Sequence, residues 1–163
     1  MKIYSKTGDN GETFLLNGER VSKNDGRIHF EGAADELNSQ LGLIKAMIKD
    51  SENRNFIEGA QRTIMTIMSH VSDSENEKYQ LTEKETAILE NEIDRLTGNL
   101  SKELDFVLPG KSVLEAQIHI ARAAARKTER DFIEIYEKYN LCKNALVYLN
   151  RLSDYLFVLS QNY

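Results

Sequence analysis

The sequence predicts an all-α protein, an up-and-down five-helix bundle with an irregular N-terminal arm. Three observations carry that prediction. Five of the nine glycines, Gly8, Gly11, Gly18, Gly26 and Gly32, lie at the start of the chain. Beyond them, apolar residues recur at helical spacing in long runs. The single proline, Pro109, interrupts only one place in that remainder. The 163 residues suit one domain, 1–163, made of an arm over 1–27 and a bundle over 28–163.

In the arm, Asp9-Asn10-Gly11 has the pattern of a tight hairpin turn. Helix 1 is expected from about Ile28 to Lys49. Its stripe Leu37, Leu41, Ile44 and Ile48 falls at i, i+4, i+7 and i+11, and Asp35-Glu36 near its start complement the helix dipole. Helix 2 is expected from about Asn53 to Ser72 on the stripe Phe56, Ala60, Ile64, Ile67 and Val71, followed by a polar loop over 73–81. Helix 3 begins at Thr82, where Thr82 and Glu85 fit a capping box, and Gly98-Asn99 stops it. The apolar loop FVLPG, residues 106–110, leads to a second capping box at Ser112 and Glu115. Helix 4 then carries Leu114, Ile118, Ala121, Ala125, Thr128, Phe132 and Ile135 inward. Helix 5, from about Asn144 to Ser160, is apolar around much of its circumference. Such a helix sits inside a bundle or at a subunit contact.

Composition excludes several function classes. A net charge of −5 argues against nucleic acid as partner, so any anion site must be a local concentration of cations. Cys142, the one cysteine, has no internal disulfide partner and fits a reducing compartment. No apolar run approaches the length of a membrane span, and the N-terminus lacks an apolar signal region, so no membrane partner and a cytoplasmic location are expected. His29, His70 and His119 stand apart with no ligand partner one turn on, so no direct metal site is expected.

Two constellations remain. On helix 4, Arg122, Arg126, Glu129 and Arg130 share one face at i, i+4, i+7 and i+8, with Lys127 beside them and the small residues Ala123 to Ala125 between. A planar guanidinium fork suits phosphate oxygens, but the same spacing also fits a solvated face in which Glu129 pairs with its neighbours. In the arm, Lys6, Thr7, Gly8, Gly11 and Thr13 offer hydroxyls, a cation and open N–H groups, the makings of an anion nest or of a plain turn. Neither the arm nor PGKS at 109–112 is a Walker A loop, since Asp105 stands where that motif's first glycine belongs. Lys23, in VSKND, is placed to reach a phosphate or to be solvated. Asn150 and Asp154 lie one turn apart in apolar surroundings and need partners.

Taken together, IYSKTGDNGET, VSKND, FVLPG, RAAARKTER and YLNRLSDYLFVLS resemble, in content and order, the PduO-type ATP:cob(I)alamin adenosyltransferases, over residues 2 to 160. The resemblance implies transfer of the 5′-deoxyadenosyl group of ATP to the cobalt of cob(I)alamin, giving adenosylcobalamin and triphosphate. A non-catalytic carrier of ATP or cobalamin, delivering cofactor to a B12-dependent enzyme, is the alternative. It implies MgATP and cob(I)alamin as substrates, with magnesium held mainly through the phosphates. It also implies a homotrimer with sites between subunits, and a reductase and a B12-dependent acceptor enzyme as further partners. It assigns ATP binding to Ser5, Lys6, Thr7, Gly8, Thr13, Phe14, Lys23, Arg126, Lys127, Glu129, Arg130 and Asn150. Arg126, Phe106, Asp35 and Arg122 are implied in catalysis, the last three also in binding the corrinoid, with Phe106 pressing on its lower face. Asp35 and Arg122 are implied as an intersubunit salt bridge near the corrinoid. Lys127 stands where many members have arginine, and Thr66 and Met68 replace an aspartate and a glycine common in helix 2.

Overall fold

A computed structural model describes residues 4, 6–98, 100 and 107–163. Five helices make the bundle: α1 (Gly26–Met47), α2 (Ser51–Ser72), α3 (Glu83–Gly98), α4 (Val113–Tyr136) and α5 (Lys143–Gln161). A short two-stranded hairpin, β1 (Glu12–Phe14) and β2 (Arg20–Ser22), precedes them. The helices alternate in direction along the chain. In space α1 packs between α2 and α4, and α5 between α4 and α3. That central place explains the wide apolar surface of α5. The Phe30 and Phe132 rings meet edge to face with centroids 5.3 Å apart, joining α1 to α4. Phe56 and Tyr155, at 5.0 Å, join α2 to α5. Each fully buried side chain of this kind contributes about 1.5–3 kcal/mol.

The arm differs from expectation in its turn. The strands join through Leu15–Glu19, not through Asp9-Asn10-Gly11: Thr13 pairs with Val21, Leu15 N–H donates to Glu19 O at 2.9 Å, and Gly18 takes φ +86°. Leu15 and Val21 are buried, which fixes this register, while Asp9–Gly11 only turns the chain into β1. The Leu16 N–H donates to Ser72 Oγ at 2.9 Å, pinning the hairpin to the end of α2.

Helix α1 starts at Gly26, two residues before the expected Ile28, because Asp25 caps it by accepting from Arg27 N–H. Gly26 also permits a close approach, since a Cβ there would stand 2.8 Å from Ile135 of α4. Asp35 and Glu36 therefore lie well past the first turn and do not complement the dipole as expected. The Thr82–Glu85 box is made on one side: Thr82 N–H donates to Glu85 at 2.8 Å, but Thr82 Oγ1 accepts from Lys84 N–H rather than from Glu85 N–H. The second box is also only half made. Ser112 Oγ accepts from Glu115 N–H at 3.0 Å, but the Glu115 carboxylate turns instead to the N–H groups of Gly110 and Lys111. Cys142 occupies the N-cap of α5, with its thiol 3.4 Å from the Leu81 carbonyl.

Arg27 locks the arm to the bundle. Its side chain is buried, forks onto Glu19 at 2.9 and 3.0 Å, and bonds Asp25 at 3.0 Å. It also lies over the Tyr139 ring at 4.1 Å, and the Tyr139 hydroxyl donates to Asp25. The Arg27 hydrogen bonds hold the Asp25 carboxyl down at about 2. Removing one member of such a cluster leaves its partners uncompensated. Arg27→Met is expected to lower stability by about 3 kcal/mol, the low end for a buried pair because Glu19 stays half-exposed. Chemical unfolding would measure it, with the bundle's helix content unchanged.

His70 closes the opposite seam. It is buried, and its Nε2 accepts from Cys142 N–H at 2.9 Å, so its proton sits on Nδ1. Burial pushes its pKa below the ordinary 6.5. Below that pH the unfolded chain binds the proton that the folded chain resists, so stability falls as pH drops. The unfolding midpoint should therefore decline from pH 7 towards pH 5. His70→Gln, which keeps an acceptor in place of Nε2, should flatten the decline.

Candidate active site

The site has two parts, set by the two ends of the bundle. At the end where α1 begins, the arm folds back on itself. Lys6 takes a left-handed φ of 63°, and its carbonyl accepts from Asp9 N–H. Lys23 N–H donates to Gly11 O at 2.8 Å. A Cβ on Gly8 would stand only 3.2 Å from Lys23 Nζ, so the absence of a side chain at Gly8 lets that ammonium lie against the turn. The structure thus brings Lys6, Thr7, Gly8 and Lys23 into one exposed loop cluster. Thr13 lies on β1, and Phe14 is exposed with the Arg20 guanidinium 5.7 Å from its ring centre.

Along α4 the stripe points outward between buried Ala121, Ala125 and Thr128. Thr128 fixes the helix against α1 by donating to the Ala33 carbonyl at 3.2 Å. Glu129 does not pair with its neighbours on the stripe. It accepts from Asn150 Nδ2 on α5 at 2.9 Å, and Asn150 Oδ1 accepts from Arg151 at 2.9 Å. Lys127 pairs with Asp131 at 2.9 Å. Arg126 and Arg130 are exposed and have no ion-pair or hydrogen-bond partner among the described residues. Two unneutralised guanidinium groups on one face make a strong anion locus.

Towards the other end of the bundle, α3, α4 and α5 enclose a cavity of about 510 Å³. Ile93, Val107, Phe157 and Val158 give it apolar walls, while His119, Arg122, Arg126 and Asp154 supply its polar groups. Arg126 therefore stands where the arginine face and the cavity meet. Asp154 is exposed and only 3.8 Å from Arg151, so it has no buried partner to satisfy. His119, which reads from sequence as an isolated packed or surface histidine, lines the cavity and accepts from Arg122 Nε at 3.3 Å. Asp35 is exposed on α1 and makes no ion pair within the described residues of this single chain, and Arg122 bonds His119. Ser5 and Phe106 lie outside the described residues. Among the described residues no group of three His, Cys, Asp or Glu side chains is arranged to hold a metal ion.

Sequence reading missed Arg27 and Glu115, which position the arm and the 107–111 loop respectively. A buried arginine leaves no mark in periodicity. Glu115 carried a signal, its i, i+4 relation to His119, masked by its fit to a capping box.

The family model described as cobalamin adenosyltransferase matches residues 3–163. A corrinoid adenosyltransferase of Citrobacter freundii is 35% identical, over 98% of this chain and 93% of that protein. The corrinoid adenosyltransferase PduO of Salmonella typhimurium is 34% identical over 99% of this chain, which spans 49% of that longer protein. Among solved structures, a phenylalanine-to-histidine variant of a PduO-type ATP:corrinoid adenosyltransferase from Lactobacillus reuteri, complexed with cobalamin and ATP, superposes with a TM-score of 0.89. It is 31% identical and covers 98% of this chain and 89% of its own. An arginine-to-lysine variant from the same organism, complexed with ATP, gives 0.89 at 30% identity.

Proposed function

The chain belongs to the cobalamin adenosyltransferase family, and on that premise we propose that it transfers the 5′-deoxyadenosyl group of ATP to the cobalt of a reduced corrinoid. One observation carries this reading: the open arginine face of α4 runs directly into an apolar-walled cavity, with Arg126 in both. The face suits a polyphosphate and the cavity a flat, largely apolar macrocycle.

The chemistry needs little beyond positioning. Cobalt(I) carries the attacking electron pair, so no general base is required. A cobalt–carbon bond forms at C5′ as the C5′–O bond breaks, and the electron pair leaves with the triphosphate. What the protein supplies is proximity and fixed positive charge where negative charge grows. Arg126 and Arg130 meet the phosphates, with Lys127, Lys6 and Lys23 adding charge. Thr7, Gly8, Thr13 and Phe14 line the nucleotide together with Ser5, and the Glu129–Asn150 pair bonds its sugar or base. Magnesium rides on the phosphates. Phe106, just before cavity-lining Val107, meets the lower face of the corrinoid.

Exposed Leu43 on α1 and Ile120 and Ile133 on α4 favour a homotrimer that buries them and lets Asp35 of one subunit reach Arg122 of the next. A cytoplasmic location fits the single free cysteine and the absence, among the described residues, of any helix long and apolar enough to cross a membrane. Reduced corrinoid must come from a reductase, and the product serves a B12-dependent enzyme.

Thermal unfolding tests the nucleotide part. MgATP at about 100 times its Kd should stabilise the fold by about 2.7 kcal/mol, roughly 5–10 °C at this chain length. No shift would remove both the transferase and an ATP-binding carrier.

A further inference from the structure

Glu115 is 1% exposed and His119 5%, yet neither belongs to the apolar core. Glu115 Oε2 accepts from Gly110 N–H at 2.7 Å and Lys111 N–H at 3.2 Å. Its Oε1 stands 3.2 Å from His119 Nε2, a charge contact without hydrogen-bond geometry, since neither atom has a hydrogen-bond partner among the described residues. His119 Nδ1 in turn lies 3.3 Å from Arg122 Nε. Residues 115, 119 and 122 fall at i, i+4 and i+7, one above another on the cavity side of α4. Burying a carboxylate is costly unless donors or charges meet it, and here two loop N–H groups bond Oε2 while the His119 imidazole lies against Oε1. Burial raises the Glu115 pKa, but the loop N–H groups and His119 outweigh that and leave it below its ordinary value, so it is charged at neutral pH.

The proton positions follow from chemistry. A guanidinium can only donate, so His119 Nδ1 must accept, and the imidazole proton sits on Nε2 facing the carboxylate. This is the opposite tautomer to His70, whose Nε2 accepts from Cys142. The two hydrogen bonds therefore each have one direction, Arg122 to His119 and the 110–111 backbone to Glu115, while His119 Nε2–H lies beside the carboxylate without hydrogen-bond geometry.

We propose that Glu115 and His119 are positioning residues that tie the loop carrying Val107 to Arg122, fixing the two sides of the corrinoid cavity relative to each other. The inference rests on the corrinoid reading of that cavity. It makes Arg122 preset and reserves its outward guanidinium nitrogens for a further acceptor, while the same carboxylate limits how far the 107–111 loop can open.

The test is Glu115→Gln. The amide can still accept from Gly110 and Lys111, but its NH₂ then faces His119 Nε2. That forces the imidazole proton onto Nδ1, donor against donor with Arg122. Helix content should be unchanged, KM for MgATP should stay within about twofold, and KM for reduced corrinoid should rise about tenfold, the loss of one charge-assisted hydrogen bond. His119→Asn, which keeps an acceptor near the position of Nδ1, should retain more corrinoid affinity than His119→Leu. Nitrogen NMR of the wild-type chain should show His119 and His70 as opposite neutral tautomers, a readout independent of turnover. Equal corrinoid KM in Glu115→Gln and wild type, or His119 protonated on Nδ1 in the wild type, would overturn the inference and leave the transferase reading standing. Wild-type protein that makes no adenosylated corrinoid would overturn both.

Discussion

Arg126→Ala is expected to lower kcat/KM for adenosyl transfer by about 10²–10³-fold, the scale seen when one fixed donor to a developing anion is lost. The side chain is exposed at the junction of the α4 stripe and the cavity and has no ion-pair or hydrogen-bond partner among the described residues. No buried charge is orphaned by its removal, and helix content and melting temperature should be unchanged. Most of the loss should fall on kcat, because the triphosphate gains affinity for cations as the C5′–O bond breaks. Arg126→Lys should recover part of the rate, since a point charge replaces the fork but cannot grip two oxygens at once. Steady-state kinetics with saturating corrinoid separates the two effects. Full turnover in Arg126→Ala would remove this residue from the phosphate site.

Phe106→Ala should abolish most adenosyl transfer while leaving MgATP binding within about twofold. The residue precedes Val107, part of the apolar cavity wall, and lies far along the chain from the arm. In the proposed role, a ring pressed on the lower face of the corrinoid would keep water and other axial ligands from the cobalt. An exposed lower face would favour a ligated, harder-to-reduce metal, so the rate of forming cobalt(I) on the enzyme should fall. The expected loss is about tenfold or more, or about 1.4 kcal/mol or more of barrier. Calorimetry with MgATP and a turnover assay on the same preparation measure both. An equal loss of nucleotide binding and turnover would mean the loop serves packing alone.

Much of this architecture was legible because long amphipathic helices advertise themselves. The stripes on α1, α2 and α4 run along the buried faces, with only Phe56 and Leu114 half-buried, and the Thr82–Glu85 contact marks the start of α3. The arm was less legible. It holds two turn signals, Asp9-Asn10-Gly11 and Asn17-Gly18, and burial of Leu15 and Val21 decides which joins the strands. Gly26 reads as a helix breaker, yet it opens α1 because Ile135 allows no Cβ there. The arginine stripe was visible from spacing, but its meaning turned on Glu129. Only the fold shows that Glu129 is engaged by Asn150 across the α4–α5 seam, which leaves Arg126 and Arg130 open. The Arg27 cluster joins Glu19, Asp25 and Tyr139 from three separate segments, and no local pattern contains such a contact.

Adenosyl transfer itself is read by a spectrophotometric assay with chemically reduced cobalamin and MgATP. Enzyme-dependent loss of the cobalt(I) absorbance is expected, matched by growth of adenosylcobalamin and release of triphosphate. MgATP bound with no adenosylcobalamin formed would contradict adenosyl transfer and leave a nucleotide-binding carrier in its place.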